Sequence, residues 1–236
     1  HPVRGMIPPS VFIPLAEECG LIVRLGETVM RQVFAETSHW GKLRVAINVS
    51  AVQLRAPGFA SLVMRLGAQA GIDPSRYEIE VTETALLGDD RSTIANIEAL
   101  TRLGFSIALD DFGTGYSSLS VLQRFSVDKI KIDRSFVNEL GLTPKSSDIV
   151  TAVIALGRAL GLRVVAEGVE SAAVMAEVVA MGVDLLQGYH MSPPMPADQV
   201  EAWVRDWNER SMLTQSQSAP EASQSTPRDW RGSSAS

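Results

Sequence analysis

Short β-branched runs alternate with longer amphipathic segments along most of this 236-residue sequence, and this alternation limits the possible folds more than any other feature. The runs with strand spacing occupy residues 44–49, 77–81, 105–109, 127–132, 162–166 and 183–186. Repeated strand–helix–strand order predicts a parallel sheet, because parallel neighbours need a crossover connection. We therefore predict an α/β fold whose parallel sheet is either open or closed into a barrel.

The segments between these runs have the spacing of helices that bury one face. They cover residues 21–37, 59–70, 92–103, 117–124, 148–160 and 172–181, and a last helix is predicted at 197–208. Four of them end at a glycine that suits a left-handed C-cap, namely Gly71, Gly104, Gly161 and Gly182. An eight-stranded barrel needs two more strands than the six runs supply. We therefore expect early strands to be missing from this chain.

The chain divides into one domain and a tail. Residues 1–210 are predicted to form a single domain, since α/β barrels of this length fold undivided. Residues 211–236 consist mainly of Ser, Gln, Pro and Ala, which bury too little apolar surface to offset the entropy of ordering. We predict that this tail is disordered.

Charge and cysteine content narrow the range of partners. The net charge is −6, and binding to long DNA or RNA needs a basic stripe that this sequence lacks. Cys19 is the single cysteine, so no internal disulfide forms, which suits a reducing cytoplasm. No run of eighteen apolar residues and no signal peptide pattern is present. We expect a soluble cytoplasmic domain whose ligand, if anionic, is small.

Polar residues close all six predicted strands. They are Asn48, Glu83, Asp110, Asp111, Lys131, Glu167 and Gln187. One polar residue at a strand end is usually a turn residue or a helix cap. In a (β/α)₈ barrel, however, the carboxyl ends of all strands converge on one mouth, where reactions occur. Six such ends in succession therefore predict a functional site.

The predicted site contains only hard oxygen donors apart from one lysine. Carboxylate and amide oxygens suit Mg²⁺ or Mn²⁺, whereas zinc would favour histidine or thiolate. Several carboxylates at one mouth repel each other unless cations are bound, so the pattern itself predicts metal. The alternative is a salt-bridge network, in which Lys131 alone among these residues could neutralise the carboxylates.

A glycine-containing segment follows the third run. It comprises Asp111, Phe112, Gly113, Thr114, Gly115, Tyr116, Ser117 and Ser118. Its Asp-Phe-Gly is found in kinases, but no His-Arg-Asp loop precedes it. Its Gly-x-Gly is found in dinucleotide-binding turns, but Ser118 occupies the place of the third glycine. We interpret residues 112–118 as a flexible loop that gates a metal site.

Several motifs, taken in this order, resemble the EAL domain of bacterial cyclic-di-GMP signalling over residues 1 to about 207. The matching segments are residues 12–17 (Phe-Ile-Pro-Leu-Ala-Glu), 48–54 (Asn-Val-Ser-Ala-Val-Gln-Leu), 80–83 (Glu-Val-Thr-Glu), 109–118 (the Leu-Asp-Asp-Phe-Gly-Thr-Gly-Tyr-Ser-Ser loop), 129–133 (Lys-Ile-Lys-Ile-Asp), 165–170 (Val-Ala-Glu-Gly-Val-Glu) and 187–189 (Gln-Gly-Tyr). The resemblance implies a modified (β/α)₈ TIM-like barrel. It also implies a phosphodiesterase that opens cyclic-di-GMP to linear pGpG with two Mg²⁺ or Mn²⁺ ions.

The resemblance assigns roles to residues of this chain. It implies that the metal ligands are Asn48, Glu83, Asp110, Asp111 and Glu167. Lys131 and Glu167 are implied as catalytic residues, with Lys131 steadying the attacking water or the phosphate charge. Glu170 and Gln187 are implied as substrate-side groups, although Glu170 fits equally well as a carboxylate favoured by a helix dipole. The loop at residues 112–118 is implied to couple dimer contacts to the site.

The sequence departs from the family in one respect. The Glu-Ala-Leu-x-Arg motif that names the family is expected immediately before His1, and it is absent from this sequence. We interpret the chain as truncated and expect impaired hydrolysis. The resemblance also implies a homodimer and allows an upstream sensory or diguanylate-cyclase-like domain, within a larger and membrane-attached protein. Two alternatives stay open: a non-catalytic cyclic-di-GMP receptor, and a TIM-barrel enzyme for another phosphodiester or sugar phosphate.

Overall fold

A computed structural model describes residues 2–87, 90–114 and 119–217. Within these residues the chain forms a sheet of six parallel strands whose order in the sheet is their order in the sequence. The strands are β1 (Val45–Asn48), β2 (Tyr77–Thr82), β3 (Ser106–Phe112), β4 (Lys129–Ile132), β5 (Arg163–Ala166) and β6 (Leu185–Leu186). All six predicted strands and the α/β class are confirmed, and the sheet forms a half-barrel. The prediction of missing early strands stays a prediction.

Eleven α-helices are described in the same ranges. They are α1 (Pro9–Glu18), α2 (Ile22–Thr37), α3 (Ala51–Arg55), α4 (Phe59–Ala70), α5 (Glu83–Leu86), α6 (Arg91–Arg102), α7 (Leu119–Arg124), α8 (Arg134–Asn138), α9 (Pro144–Leu160), α10 (Ala172–Met181) and α11 (Ala197–Gln217). Each predicted helix is present. No described helix is long and apolar enough to cross a membrane.

Four helices were not predicted: α1, α3, α5 and α8. Three of them have only four or five residues, too few to show a helical period in the sequence. Side-chain caps start two of these. Ser50 and Gln53 form a reciprocal capping box on α3, and Asp133 accepts a hydrogen bond from the Ser135 backbone at the start of α8.

The chain separates into two compact units, residues 1–195 and residues 196–236. The second unit contains α11, which continues to Gln217 and so enters the segment that was predicted to be a tail. Residues 218–236 of that predicted tail lie outside the described part of the chain.

The two faces of the sheet differ because successive strand residues point to opposite sides. One face is apolar and is packed against helices, with Ile79, Ile107, Ile130 and Val164 at its centre, all at most 1% exposed. The opposite face carries polar side chains and lines a cavity of ≈ 260 Å³ inside the half-barrel. Its lining includes Glu78, Glu80, Ser106, Lys129 and Lys131. Apolar packing thus stabilises the sheet from outside and holds the polar face in place.

Candidate metal centre

Lys131 of β4 lies at the centre of a group of carboxylates. Its side chain is buried, and its Nζ lies 2.9 Å from Oε1 of Glu80 and 3.2 Å from Oδ1 of Asp110. It also forms an ion pair with Glu167. These three carboxylates come from β2, from β3 and from the residue after β5, so side chains from three other strands meet at one ammonium group.

The charges around Lys131 keep it protonated. Burial alone would lower the pKa of Lys131, because a low-dielectric interior disfavours the charged form. The carboxylates of Glu80, Glu167 and Asp110 outweigh that effect and raise the pKa above its usual value. Lys131 therefore presents a fixed positive charge to the site at every physiological pH.

A tighter acidic group lies beside the ammonium. Asp110, Asp111 and Glu167 each place one carboxylate oxygen within 4.8 Å of the others, and all three side chains are half-buried. Asp110 and Asp111 are consecutive, so a regular strand would point them to opposite faces. The register of β3 against β4 shifts between Leu109 and Phe112, and Asp111 has a left-handed φ of 54°. This bulge turns the Asp111 carboxylate toward the same group.

Burial is the main cause of the raised pKa values of three carboxyl groups at this centre, and neighbouring carboxylates add to it. Burial raises the pKa of Glu167 to about 7, and Asp110 and Glu80 add to the effect while Lys131 opposes it. Burial also raises the pKa of Asp111, with further increases from Asp110 and Asp133. The pKa of Glu80 is raised by burial although Lys131 opposes it. The ammonium group of Lys131 therefore does not offset the combined effect of burial and of the neighbouring carboxylates.

The donor set fits a hard divalent cation. Carboxylate oxygens are the ligands that Mg²⁺, Mn²⁺ and Ca²⁺ take in proteins, and additional positive charge would reverse the pKa shifts. Within the described residues, Asp110, Asp111 and Glu167 are the one group of His, Cys, Asp and Glu side chains close enough together to hold a metal ion. These three residues could together hold such a cation, and their assignment as metal ligands stays a prediction.

Asn48 and Glu83 occupy different positions relative to this centre. Asn48 ends β1 and pairs with Glu80 of β2 in the strand register, which places the two residues side by side. Glu83 is buried as the first residue of α5, and it is not in the group formed by Asp110 and its neighbours. Glu80, three residues earlier, contacts Lys131 instead.

Glu80 was not predicted as a ligand because it is not the last polar residue of its strand. Side-chain alternation along β2 was the available signal. Glu78 and Glu80 are polar at every second position of an otherwise apolar strand, which places both on the face that lines the cavity. Glu83 lies beyond the end of β2, where strand alternation no longer applies.

A second cavity of ≈ 430 Å³ adjoins the centre, and Glu167 forms part of its wall. Glu170 and Gln187, the two predicted substrate-side residues, also line it. Arg134 and Tyr189, which the sequence argument did not select as site residues, lie in the same wall. Gly168 has a φ of +68°, and a Cβ there would lie 2.5 Å from Cβ of Arg134, so a side chain at this position would push Arg134 out of place.

The predicted gating loop is described only in part. Phe112 ends β3, and Gly113 and Thr114 follow in a turn where Thr114 donates hydrogen bonds from its backbone and its hydroxyl to the carbonyl of Asp111. The remaining loop residues are Gly115, Tyr116, Ser117 and Ser118, and they lie outside the described residues. The gating role of this loop stays a prediction.

Comparison with known proteins gives consistent matches. The family model of the EAL domain matches residues 1–194. The bifunctional diguanylate cyclase/cyclic di-GMP phosphodiesterase MucR of Pseudomonas aeruginosa is 40% identical over 209 residues, which cover 86% of this chain and 30% of MucR. The cyclic di-GMP phosphodiesterase PdeR of Escherichia coli is 40% identical over 214 residues, which cover 89% of this chain and 32% of PdeR. The chain thus spans about a third of the length of these two relatives.

Solved structures match the fold as well. The structure described as PaMucR phosphodiesterase in complex with c-di-GMP has a TM-score of 0.81 and 40% identity, and the match covers 85% of this chain and 83% of that one. A manganese/cy-diGMP complex of BlrP1 from Klebsiella pneumoniae has a TM-score of 0.70 and 34% identity, covering 78% of this chain and 47% of that one.

Proposed function

This chain belongs to the EAL domain family, and from that premise we propose that it hydrolyses cyclic-di-GMP to linear pGpG with the help of two Mg²⁺ or Mn²⁺ ions. The observation that carries the proposal is the meeting of Glu80, Asp110 and Glu167 at the ammonium group of Lys131. Three carboxylates meet a single ammonium group, so the charges in this cluster are not balanced as they would be in a simple ion pair. The crowded carboxylates support a centre built for added cations.

The proposed acidic ligands differ from the predicted set at one position. Asp110, Asp111 and Glu167 form the core of the proposed metal centre. We add Glu80 in place of Glu83, because Glu80 contacts Lys131 and lies beside Asn48 in the strand register. Divalent cations, when bound, acidify a water molecule and neutralise charge on the phosphodiester.

Lys131 and Glu167 are the proposed catalytic residues. Hydrolysis joins the oxygen of a water molecule to phosphorus while one ester oxygen leaves and takes up a proton. The fixed positive charge of Lys131 stabilises the negative charge that develops on the phosphate oxygens, and its burial strengthens that interaction. Glu167 contacts Lys131 and forms part of the neighbouring cavity wall, so it orients the ammonium group toward the substrate.

The cavity that Glu167 shares with Arg134, Glu170, Gln187 and Tyr189 is proposed to hold part of the dinucleotide. Guanine presents two N–H donors on one edge, and a carboxylate such as that of Glu170 accepts hydrogen bonds from both. Tyr189 is 66% exposed, and its ring offers a surface for base stacking. The Arg134 guanidinium supplies a donor for phosphate or for a guanine carbonyl.

We propose that the chain acts in the cytoplasm as one module of a multidomain protein, since it spans about a third of the length of MucR and PdeR. A homodimer, as the family resemblance implies, is part of the same proposal. Size-exclusion chromatography with light scattering tests it, with a mass of twice 25.5 kDa expected for the isolated chain.

Product analysis tests the proposed activity. The protein, as this chain and within its native full-length protein, is incubated with cyclic-di-GMP and Mn²⁺, and nucleotides are separated by chromatography. The proposal predicts pGpG as the product. Binding of cyclic-di-GMP without product from either protein would instead support the non-catalytic receptor. Neither binding nor product would reject both functions.

A further inference from the structure

A second buried ion pair lies one layer below the metal centre. Nζ of Lys129 lies 2.7 Å from Oε1 of Glu78, and both residues are less than 10% exposed. Oε2 of Glu78 has no hydrogen-bond partner within the described ranges, so Lys129 is the group that holds this carboxylate. Neither residue contacts the acidic group around Asp110, and the proposed reaction assigns them no role.

The two ion pairs form a ladder that crosses β3. Both carboxylates come from β2 and both lysines from β4, and β3 lies between those strands. Strands two places apart are separated by about 10 Å, a gap that only long side chains can bridge. Ser106 and Ala108 of β3 lie on this face level with Glu78 and Glu80, and their small side chains leave space above the sheet, while Asp110, the next β3 residue on this face, contacts Lys131.

The strand register would permit a different pairing. Glu80 is level with Ala108, and Ala108 is level with Lys129, so the backbone places Glu80 directly across β3 from Lys129. Glu80 nevertheless pairs with Lys131, and Lys129 pairs with Glu78. Both pairs are therefore diagonal. A buried ammonium without a partner carries a large desolvation cost, so Lys129 would take Glu80 if Glu78 were absent.

We propose that Glu78 is a positioning residue, which satisfies Lys129 and thereby leaves Glu80 free to serve Lys131 and the metal centre. This inference rests on the proposed function. Without the Glu78 charge, Glu80 turns down toward Lys129. The metal centre then loses one carboxylate, and Lys131 loses one of its three acidic partners.

Mn²⁺ affinity of the folded protein, measured by isothermal titration calorimetry, tests the proposal. Glu78→Met leaves Lys129 unpaired, and we expect about a tenfold weaker Kd, the size of effect that supporting residues of metal sites show. The double variant Glu78→Met/Lys129→Met removes both charges, so Glu80 returns to Lys131 and the affinity recovers to within about threefold of wild type. A merely structural pair would change thermal stability without this loss and recovery of affinity.

The matched control is Glu98→Gln, which removes an exposed carboxylate paired with Arg102 and should leave Mn²⁺ affinity unchanged. If Glu78→Met does not fold, Glu78→Gln carries the same test. Wild-type affinity in the folded single variant, or no recovery in the double variant, would overturn the proposal. Absence of Mn²⁺ binding and hydrolysis in the wild type would instead count against the proposed function. A crystal structure of the single variant should show Glu80 in contact with Lys129.

Discussion

Asp110 and Asp111 are neighbours on one strand, yet both contribute an oxygen to the same acidic group. The break in the β3 register and the φ of 54° at Asp111 make this possible. A left-handed backbone at a non-glycine residue is unfavourable, and aspartate and asparagine tolerate it better than most residues. A regular strand would direct only one of two consecutive carboxylates into the acidic group. The strained backbone at Asp111 allows both to enter it.

This strain can be measured by substitution at Asp111. Asp111→Val should lower the free energy of unfolding by about 1–3 kcal/mol relative to Asp111→Asn, because a β-branched side chain fits the left-handed region poorly. Thermal or urea unfolding of the two variants gives the difference. Both variants should lose Mn²⁺ affinity, since both lack the charge. Equal stability of the two would show that the left-handed backbone at Asp111 carries no strain.

The two ion pairs that bridge β3, Glu78–Lys129 and Glu80–Lys131, depend on a small residue beneath them. Ala108 is fully buried on β3 between Glu80 and Lys129. Ala108→Leu should separate both pairs, because its side chain would occupy the space through which they meet, and Mn²⁺ affinity should fall by about tenfold or more. Ala108→Ser is the matched control and should bind nearly as wild type does. Wild-type Mn²⁺ affinity in a folded Ala108→Leu protein would contradict the placement of both ion pairs above Ala108.

The choice between Glu80 and Glu83 is open to a direct comparison. Glu80→Gln should weaken Mn²⁺ binding by about tenfold or more, because Glu80 contacts Lys131 at the centre. Glu83→Gln should stay within about threefold of wild type, since Glu83 begins α5 outside the acidic group. Calorimetric titration of both variants decides the matter. The reverse order of effects would restore Glu83 as the ligand.

Cation binding should depend on pH in a defined direction. The pKa of Glu167 is raised to about 7 in the metal-free protein, so below that pH a proton occupies the carboxyl group that a cation needs. Mn²⁺ affinity should therefore increase from pH 5.5 to about 7 and then level off. Titrations at pH 6 in buffers of different ionisation enthalpy should reveal proton release. Affinity that is constant between pH 5.5 and 7.5 would contradict the raised pKa.

The sequence was sufficient for the sheet and for most of the acidic centre, for a physical reason. The apolar periodicity of the sequence predicts the strands and helices. Strand-end residues such as Asp110, Lys131 and Glu167 are predicted to meet because the carboxyl ends of parallel barrel strands converge. Glu80 could not be found by that rule, because it lies inside β2 and reaches the centre only through a long side chain that crosses β3.

The diagonal pairing of Glu78 with Lys129 also lay beyond the sequence. Lys129 could pair with either Glu78 or Glu80, and the strand register alone favours Glu80, whereas the structure pairs it with Glu78. The short helices α3, α5 and α8 were missed for a different reason. They are too short to show a hydrophobic period, and two of them, α3 and α8, begin at local side-chain caps.

Hydrolysis of cyclic-di-GMP by the Asp110→Asn variant of the native full-length protein, in the presence of Mn²⁺, tests the central claim most directly. Asp110 contacts Lys131 and belongs to the acidic group. The substitution therefore removes one negative charge from the acidic group and one ion-pair partner from Lys131. We predict that the rate of pGpG formation falls by about a hundredfold or more relative to wild type while the protein stays folded. A rate near that of wild type would contradict the assignment of this centre as the site of hydrolysis.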